Sequence, residues 1–216
     1  MGTKSLKISY LPAANKHIRL DEVSEFLDRQ DRNFIDIAPW RQYADKPKVS
    51  FAIAHDGAHI FIKYDVEESE VLARYKKIND PVFKDSCVEF FIIFDDDKDY
   101  YNIEFNRLGT CLGRFGAHRE NRTEISPEIL KNIKFERALK PNPSDDLAIH
   151  WTLTVAIPIE VFCFHDFSSI QHQRSKMNFY KCGDDLSHPQ YLVWNNVVSE
   201  VPNFHLPEFF GKVEFM

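Results

Sequence analysis

From Cys87 to Phe94 the chain reads CVEFFIIF, apolar on both faces of an extended ribbon apart from one acid, Glu89. An acidic stretch, Asp95 to Asp99, separates this run from YYNIEFN at Tyr100 to Asn106. In the second run Tyr101, Ile103 and Phe105 alternate with Asn102, Glu104 and Asn106. Side chains of a strand alternate faces with period two, so the rings and aliphatics point one way and the amides and acid the other. The pair predicts a β-hairpin whose first strand is covered on both sides and whose second carries one polar face.

The same punctuation recurs along the chain. Residues 4–10 alternate weakly and predict an edge strand. Leu20 to Gln30 places Leu20, Val23 and Leu27 at helical spacing, with acids in the first turn, and predicts a short helix. Val49 to His55 and Ile60 to Val66 predict a second hairpin around Asp56-Gly57. A helical turn is expected at Glu67 to Ala73. Further strands are expected at Gly109 to Gly116, Ile133 to Leu139, Ala148 to Ile157, Lys176 to Cys182, Tyr191 to Val197 and Lys212 to Phe215. A long loop at 117–131, the turn KPNPSDD and a short helix at Pro158 to Phe162 connect them. Many short strands with helices only as connectors predict an all-β fold, an antiparallel β-sandwich. No repeat, linker or low-complexity tract divides residues 1–216, which read as a single domain.

Composition narrows the function. With 19 Phe, 8 Tyr and 3 Trp there is ample material for a large core. The net charge of −6 and the lack of a basic cluster speak against a nucleic-acid partner, which needs phosphate-neutralising groups. No stretch reaches the ~18 apolar residues of a membrane span. The first residues lack the apolar segment of a signal peptide. The chain is therefore expected in the cytoplasm if its N-terminus is complete, and in the periplasm or secreted if a leader has been removed. Cys87, Cys111, Cys163 and Cys182 form no C-x-x-C pair, which argues against a zinc knuckle. Cys87, Cys163 and Cys182 sit among apolar residues and read as small buried hydrophobes, a disulfide being the alternative in an exported protein.

Catalytic and metal signatures are weak. Glu89 and Glu104, on neighbouring strands, satisfy only loosely the carboxylate pair of a glycosidase, and make a hydrolase the alternative function. Glu89 reads as a paired core acid. Asp95, Asp96, Asp97 and Asp99 lack EF-hand spacing and read as a solvated turn, with structural calcium as the alternative. Nine histidines show no H-E-x-x-H, and no G-x-S-x-G or P-loop is present, so no cofactor, no metal and no catalytic residue is expected. More suggestive are Glu104 flanked by Asn102 and Asn106, and Phe83, Phe204 and His205 beside turns. Amides and acids take sugar hydroxyls, while aromatic planes take sugar C–H faces.

DSCVEFFIIFDDD, YYNIEFNRLGT, MNFYKC, YLVWNN and FHLPEFFGKVEF together resemble the family 9 carbohydrate-binding modules, especially stand-alone family 9-like proteins, from about Phe83 to the C-terminus. The resemblance implies a sandwich of the immunoglobulin-like, jelly-roll or DOMON-like kind. It implies a non-catalytic protein that binds a mono- or oligosaccharide and serves carbohydrate catabolism. Carried over by position, the polar ligand groups fall on Glu104 and Asn106, and the aromatic clamp falls on Phe204 and Phe83, with Lys84 beside the latter. Both clamp positions hold phenylalanine where the better-known modules have tryptophan, and Glu104 stands where they have arginine. Asn178 and Asn203 complete the expected polar set. Trp194 is expected to line either the site or the core. Haem-binding relatives of the DOMON fold offer a third reading, for which Met177 is the methionine away from the termini.

Overall fold

The computed structural model of the chain describes residues 2–12, 19–43, 46–95, 97–140 and 148–216. In chain order its strands are β1 (Ser5–Tyr10), β2 (Asn33–Phe34), β3 (Lys48–His55), β4 (His59–Glu68), β5 (Cys87–Phe94), β6 (Tyr100–Asn106), β7 (Cys111–Gly116), β8 (Thr123–Glu124), β9 (Lys134–Lys140), β10 (Ile149–Pro158), β11 (Arg174–Gly183), β12 (Gln190–Val193) and β13 (Gly211–Phe215). The α-helices among the described residues are α1 (Leu20–Asp28) and α2 (Pro127–Leu130). Val23 and Leu27, four residues apart and so on one face of α1, pack on Ala52 and Phe61. Asp56-Gly57 turns β3 into β4, with Gly57 at φ +88° and the Asp56 carboxylate accepting the Ala58 and His59 N–H groups.

The strands form two sheets, β8-β7-β6-β5-β11-β13-β1 and β1-β3-β4-β10-β9, with β12 added to β11 and β2 to β3. β1 belongs to both. Ser5 to Ile8 runs parallel to Lys212 to Phe215, and Ser9 and Tyr10 pair with Ala54 and His55. A strand that changes sheets along its length folds one ribbon over on itself and brings two inner faces together. The expected edge strand is therefore a central one. Its weak alternation reflects two halves with different neighbours.

Apolar side chains from both sheets meet between them. Val88, Phe90 and Ile92 of β5 and Tyr101, Ile103 and Phe105 of β6 face Ile62 and Tyr64 of β4 and Leu153 and Val155 of β10. Phe51 of β3 stacks on Phe179 of β11 with ring centroids 3.8 Å apart. Each such side chain contributes roughly 1.5–3 kcal/mol by leaving water. This is the antiparallel β-sandwich expected from the strand pattern. Met177, 0% exposed, is sealed in the same core, which leaves it no face for a haem iron.

Several local expectations differ from the structure, each for a physical reason. Glu67 to Ala73 is not helical. β4 runs on to Glu68, and Ser86 and Asp85 then take the N–H groups of Leu72, Arg74 and Tyr75 that a helix would use. The strand expected from Tyr191 to Val197 ends at Val193, because Asn178 Oδ1 captures the N–H of Asn195. Cys163 is exposed while Cys111 is buried, the reverse of their apolar and polar sequence surroundings. Most of the turn KPNPSDD lies outside the described residues.

The outer face of the first sheet is not solvated either. Phe91, Tyr100 and Tyr180 point outward from it and are roofed by Phe204, Phe210 and Trp40. The polar stripe of β6 therefore ends up beneath a second, smaller core.

Candidate functional site

Within this second layer the sheet leaves a cavity of about 200 Å³. Its floor comes from outward residues of adjacent strands. Glu89 of β5 stands directly opposite Glu104 of β6, and Asn102 of β6 opposite Arg114 of β7. Cys182 of β11 completes the floor. Phe83, Asp184 and Tyr191 wall one side, and Asn203, Phe204 and His205 the other, with Arg119 also on the lining. Period-two alternation in four neighbouring strands gathers these groups on one surface.

Arg122 secures the loop that follows β7. Its Nε donates to Asn102 Oδ1 at 2.9 Å, its Nη1 to the carbonyls of Gly116 and His118, and its Nη2 to the carbonyl of Tyr100 at 2.6 Å. The guanidinium also lies 4.0 Å from the centroid of the Tyr100 ring. Asn102 passes the constraint on: its Nδ2 donates to Glu104 Oε1 at 2.7 Å. The other oxygen, Glu104 Oε2, is buried and has no hydrogen-bond partner. A buried polar atom left without a partner costs about 1–3 kcal/mol, which makes Glu104 a lining residue with hydrogen-bonding capacity still unused.

The electrostatics follow from burial. Burial raises the Glu104 carboxyl to about 7, against the opposing pull of the Asn102 hydrogen bond and of Arg114 and Arg122. Glu89 is pushed well up by burial and then by Glu104. It accepts a 2.8 Å hydrogen bond from Cys182 Sγ. His205 hydrogen-bonds to the Tyr100 hydroxyl at 2.8 Å, and burial, followed by the nearby Arg122, Arg119 and Arg114, lowers it to about 3. The imidazole is thus neutral at neutral pH.

A metal would find its donors in Cys87, Glu89 and Cys182, whose ligand atoms all lie within 4.8 Å of one another. Burial pushes the Cys87 thiol up to about 12 and holds that of Cys182 well above its ordinary value, so both are protonated at neutral pH. Metals bind thiolates, so an ion would be held here only by displacing these protons. The set reads as a neutral, hydrogen-bonded floor. Of the acids in the β5–β6 turn, Asp96 lies outside the described residues, and Asp97 accepts the N–H groups of Lys98 and Asp99 in an ordinary turn.

The structure brings together Phe83, Glu104, Asn203, Phe204 and His205 of the residues proposed from sequence. Phe204 lines the cavity with one face already taken, because it stacks on Tyr180 with centroids 4.3 Å apart. Lys84 flanks Phe83 but is not on the lining. Asn106 is fully buried and ties the strand to the preceding loop, donating to Tyr75 O and Asp85 Oδ2 while accepting from Leu108 and Thr110 N–H. Asn178 clasps both backbone groups of Asn195. Trp194 sits in the inter-sheet core against Phe51 and Phe179. Asn102, Arg114, Arg119, Arg122, Asp184 and Tyr191 were not singled out as ligands from the sequence. Only Asn102 carried a signal there, as the start of the polar alternation. Arg114 comes from within β7, while Arg119 and Arg122 reach the site from a loop with no periodicity to mark them.

A family model for carbohydrate-binding family 9 matches residues 21–215. A crystal structure described as that of a putative carbohydrate-binding protein from Bacteroides uniformis is 36% identical, covers 100% of both chains and superposes with a TM-score of 0.91. A family 9 carbohydrate-binding module of Caldicellulosiruptor kristjanssonii, solved with glucose, shares the fold at 14% identity and a TM-score of 0.59, covering 99% of this chain and 96% of the other. The same organism's module solved with cellotriose gives 15% identity and a TM-score of 0.56 over 98% and 93%. No curated protein matches the chain. No helix among the described residues is long and apolar enough to cross a membrane.

Proposed function

The chain belongs to carbohydrate-binding family 9, and from that footing we propose that the cavity over β5, β6 and β7 binds a single sugar ring without cleaving it. One observation carries the reading. Glu104, whose Oε2 is buried without a hydrogen-bond partner, lines a cavity that also carries the amides of Asn102 and Asn203 and the ring of Phe83. Hydroxyl groups donate to the acid and accept from the amides, while Phe83 takes a C–H face. A cavity of about 200 Å³ is smaller than the ~300–1,000 Å³ of sites for drug-sized ligands, which suits one ring. The modules solved with glucose and with cellotriose support a sugar as the ligand class. In this reading the protein serves carbohydrate catabolism by holding sugar.

Hydrolysis by Glu89 and Glu104 is less favoured. Glycosidases set two carboxyls on opposite sides of the scissile bond. Here the two stand side by side on one floor, and Glu89 is occupied by Cys182.

Isothermal titration against mono- and oligosaccharides, glucose and cellotriose included, tests the proposal. Binding should appear for the wild type and weaken by about tenfold or more in Phe83→Ala and in Glu104→Ala. Silence across the panel, or affinity untouched in both variants, would sink it.

A further inference from the structure

We propose that the sugar taken by this cavity carries a carboxylate, as a uronic acid or its glycoside, and that Arg119 is the group that meets it. The inference rests on the sugar-binding reading and narrows it to one class.

Three guanidiniums line a cavity otherwise sized for one ring: Arg114, Arg119 and Arg122. They differ in what they have left to give. Arg122 is spent on Asn102 and the carbonyls that hold its loop. Arg114 is held through Nη2 by Glu124 at 3.1 Å, while its Nε is buried without a partner. Arg119 is exposed and, among the described residues, has no hydrogen-bond or ion-pair partner. All three charges are felt at His205 on the same lining.

In charge, the acids on the lining are outnumbered. Glu89 and Glu104 are both held toward the protonated form by burial, which leaves Asp184, hydrogen-bonded to Tyr191 and within the field of Arg119 but not ion-paired with it, as the one acid to share three guanidiniums. A neutral sugar would satisfy Glu104 Oε2 and the amides but leave the guanidiniums to water. A carboxylate on the ring meets a planar fork of donors in paired, charge-assisted hydrogen bonds. Two contacts then orient the ring, a hydroxyl hydrogen-bonded to Glu104 on the floor and the carboxylate accepting from Arg119.

Pairs of sugars that differ only at C6 isolate the charge: glucuronate against glucose, and galacturonate against galactose. Titration calorimetry should find at least one uronate bound about tenfold tighter than its neutral parent. That preference should shrink with added salt and collapse in Arg119→Ala, with part kept in Arg119→Lys. Arg119 is exposed and makes no hydrogen bond or ion pair among the described residues, so the variant is expected to fold as the wild type. Neutral parents binding as well as their uronates would overturn the inference and leave sugar binding standing. A preference unchanged in Arg119→Ala would overturn the assignment of that residue. If none of these sugars and no oligosaccharide bound, the sugar-binding reading itself would fall and this inference with it.

Discussion

At the scale of single residues, Glu104 is where structure and site meet. Its carboxyl titrates near 7 in the folded chain because it is buried, against an ordinary value of 4.5. A group that holds its proton more tightly when folded lends stability that is complete below about pH 4.5 and is lost as pH rises through about 7. The shift corresponds to about 3 kcal/mol between those limits. Gln at this position keeps the acceptor for Asn102 but cannot ionise. The stability difference between wild type and Glu104→Gln should therefore move by that order between pH 5 and pH 8, with the variant gaining on the wild type as pH rises. Urea unfolding across the range measures it, and a difference that stays flat with pH would mean that Glu104 is ionised throughout. Asn106, two residues away and on the same face, has no such freedom. All its hydrogen bonds are spent on Tyr75, Asp85, Leu108 and Thr110.

At the scale of elements, the hairpin of β5 and β6 was legible because period two is written directly into YYNIEFN, and the turn at Asp56-Gly57 because only certain residues take its backbone. What lies above a strand is a different matter. The alternation of β6 sets Glu104 and Asn106 on one face, yet the loop of residues 72–85 covers Asn106 while the cavity opens over Glu104. Long-range packing decided between them, and no local pattern encodes it. Trp194 was ambiguous for the same reason, since a ring on a covered sheet packs well on either side. The loop of residues 116–122 is the clearest case: it is polar, aperiodic and reads as solvent-facing, yet its last residue, Arg122, ties it to the floor of the site. Arg122→Ala should free this loop, speeding hydrogen exchange at residues 116–122 and lowering sugar affinity by about tenfold or more, while the protection of β3, β4 and β10 stays as it was. Exchange unchanged in the loop would mean that its own backbone, and not Arg122, sets its conformation.

At the scale of the whole molecule, the two sheets are joined by apolar packing and by a buried ion pair. Lys181 of β11 meets Glu68 of β4 at 2.9 Å, with both side chains 0% exposed. Glu68 also accepts from Trp151 Nε1 at 2.7 Å, and Lys181 donates to Gln190 Oε1 and to the Cys182 carbonyl. Taking two charges from water costs several kcal/mol each, so such a pair adds little net stability against apolar residues of the same shape. Its members are nonetheless costly to separate. Lys181→Met strands a carboxylate in the core and should destabilise the fold by about 3–5 kcal/mol. Adding Glu68→Gln to that variant removes the stranded charge, keeps an acceptor for Trp151 and should recover a large part of the loss. Urea unfolding of the single and double variants gives the coupling directly. Because Lys181 precedes Cys182, which holds Glu89 on the floor of the cavity, the pair also fixes the register of β11 beneath the site. Sugar affinity in the double variant then separates the two roles. Stability recovered with affinity still lost would assign the ion pair to positioning the floor, whereas recovery of both would assign it to nothing beyond charge balance in the core.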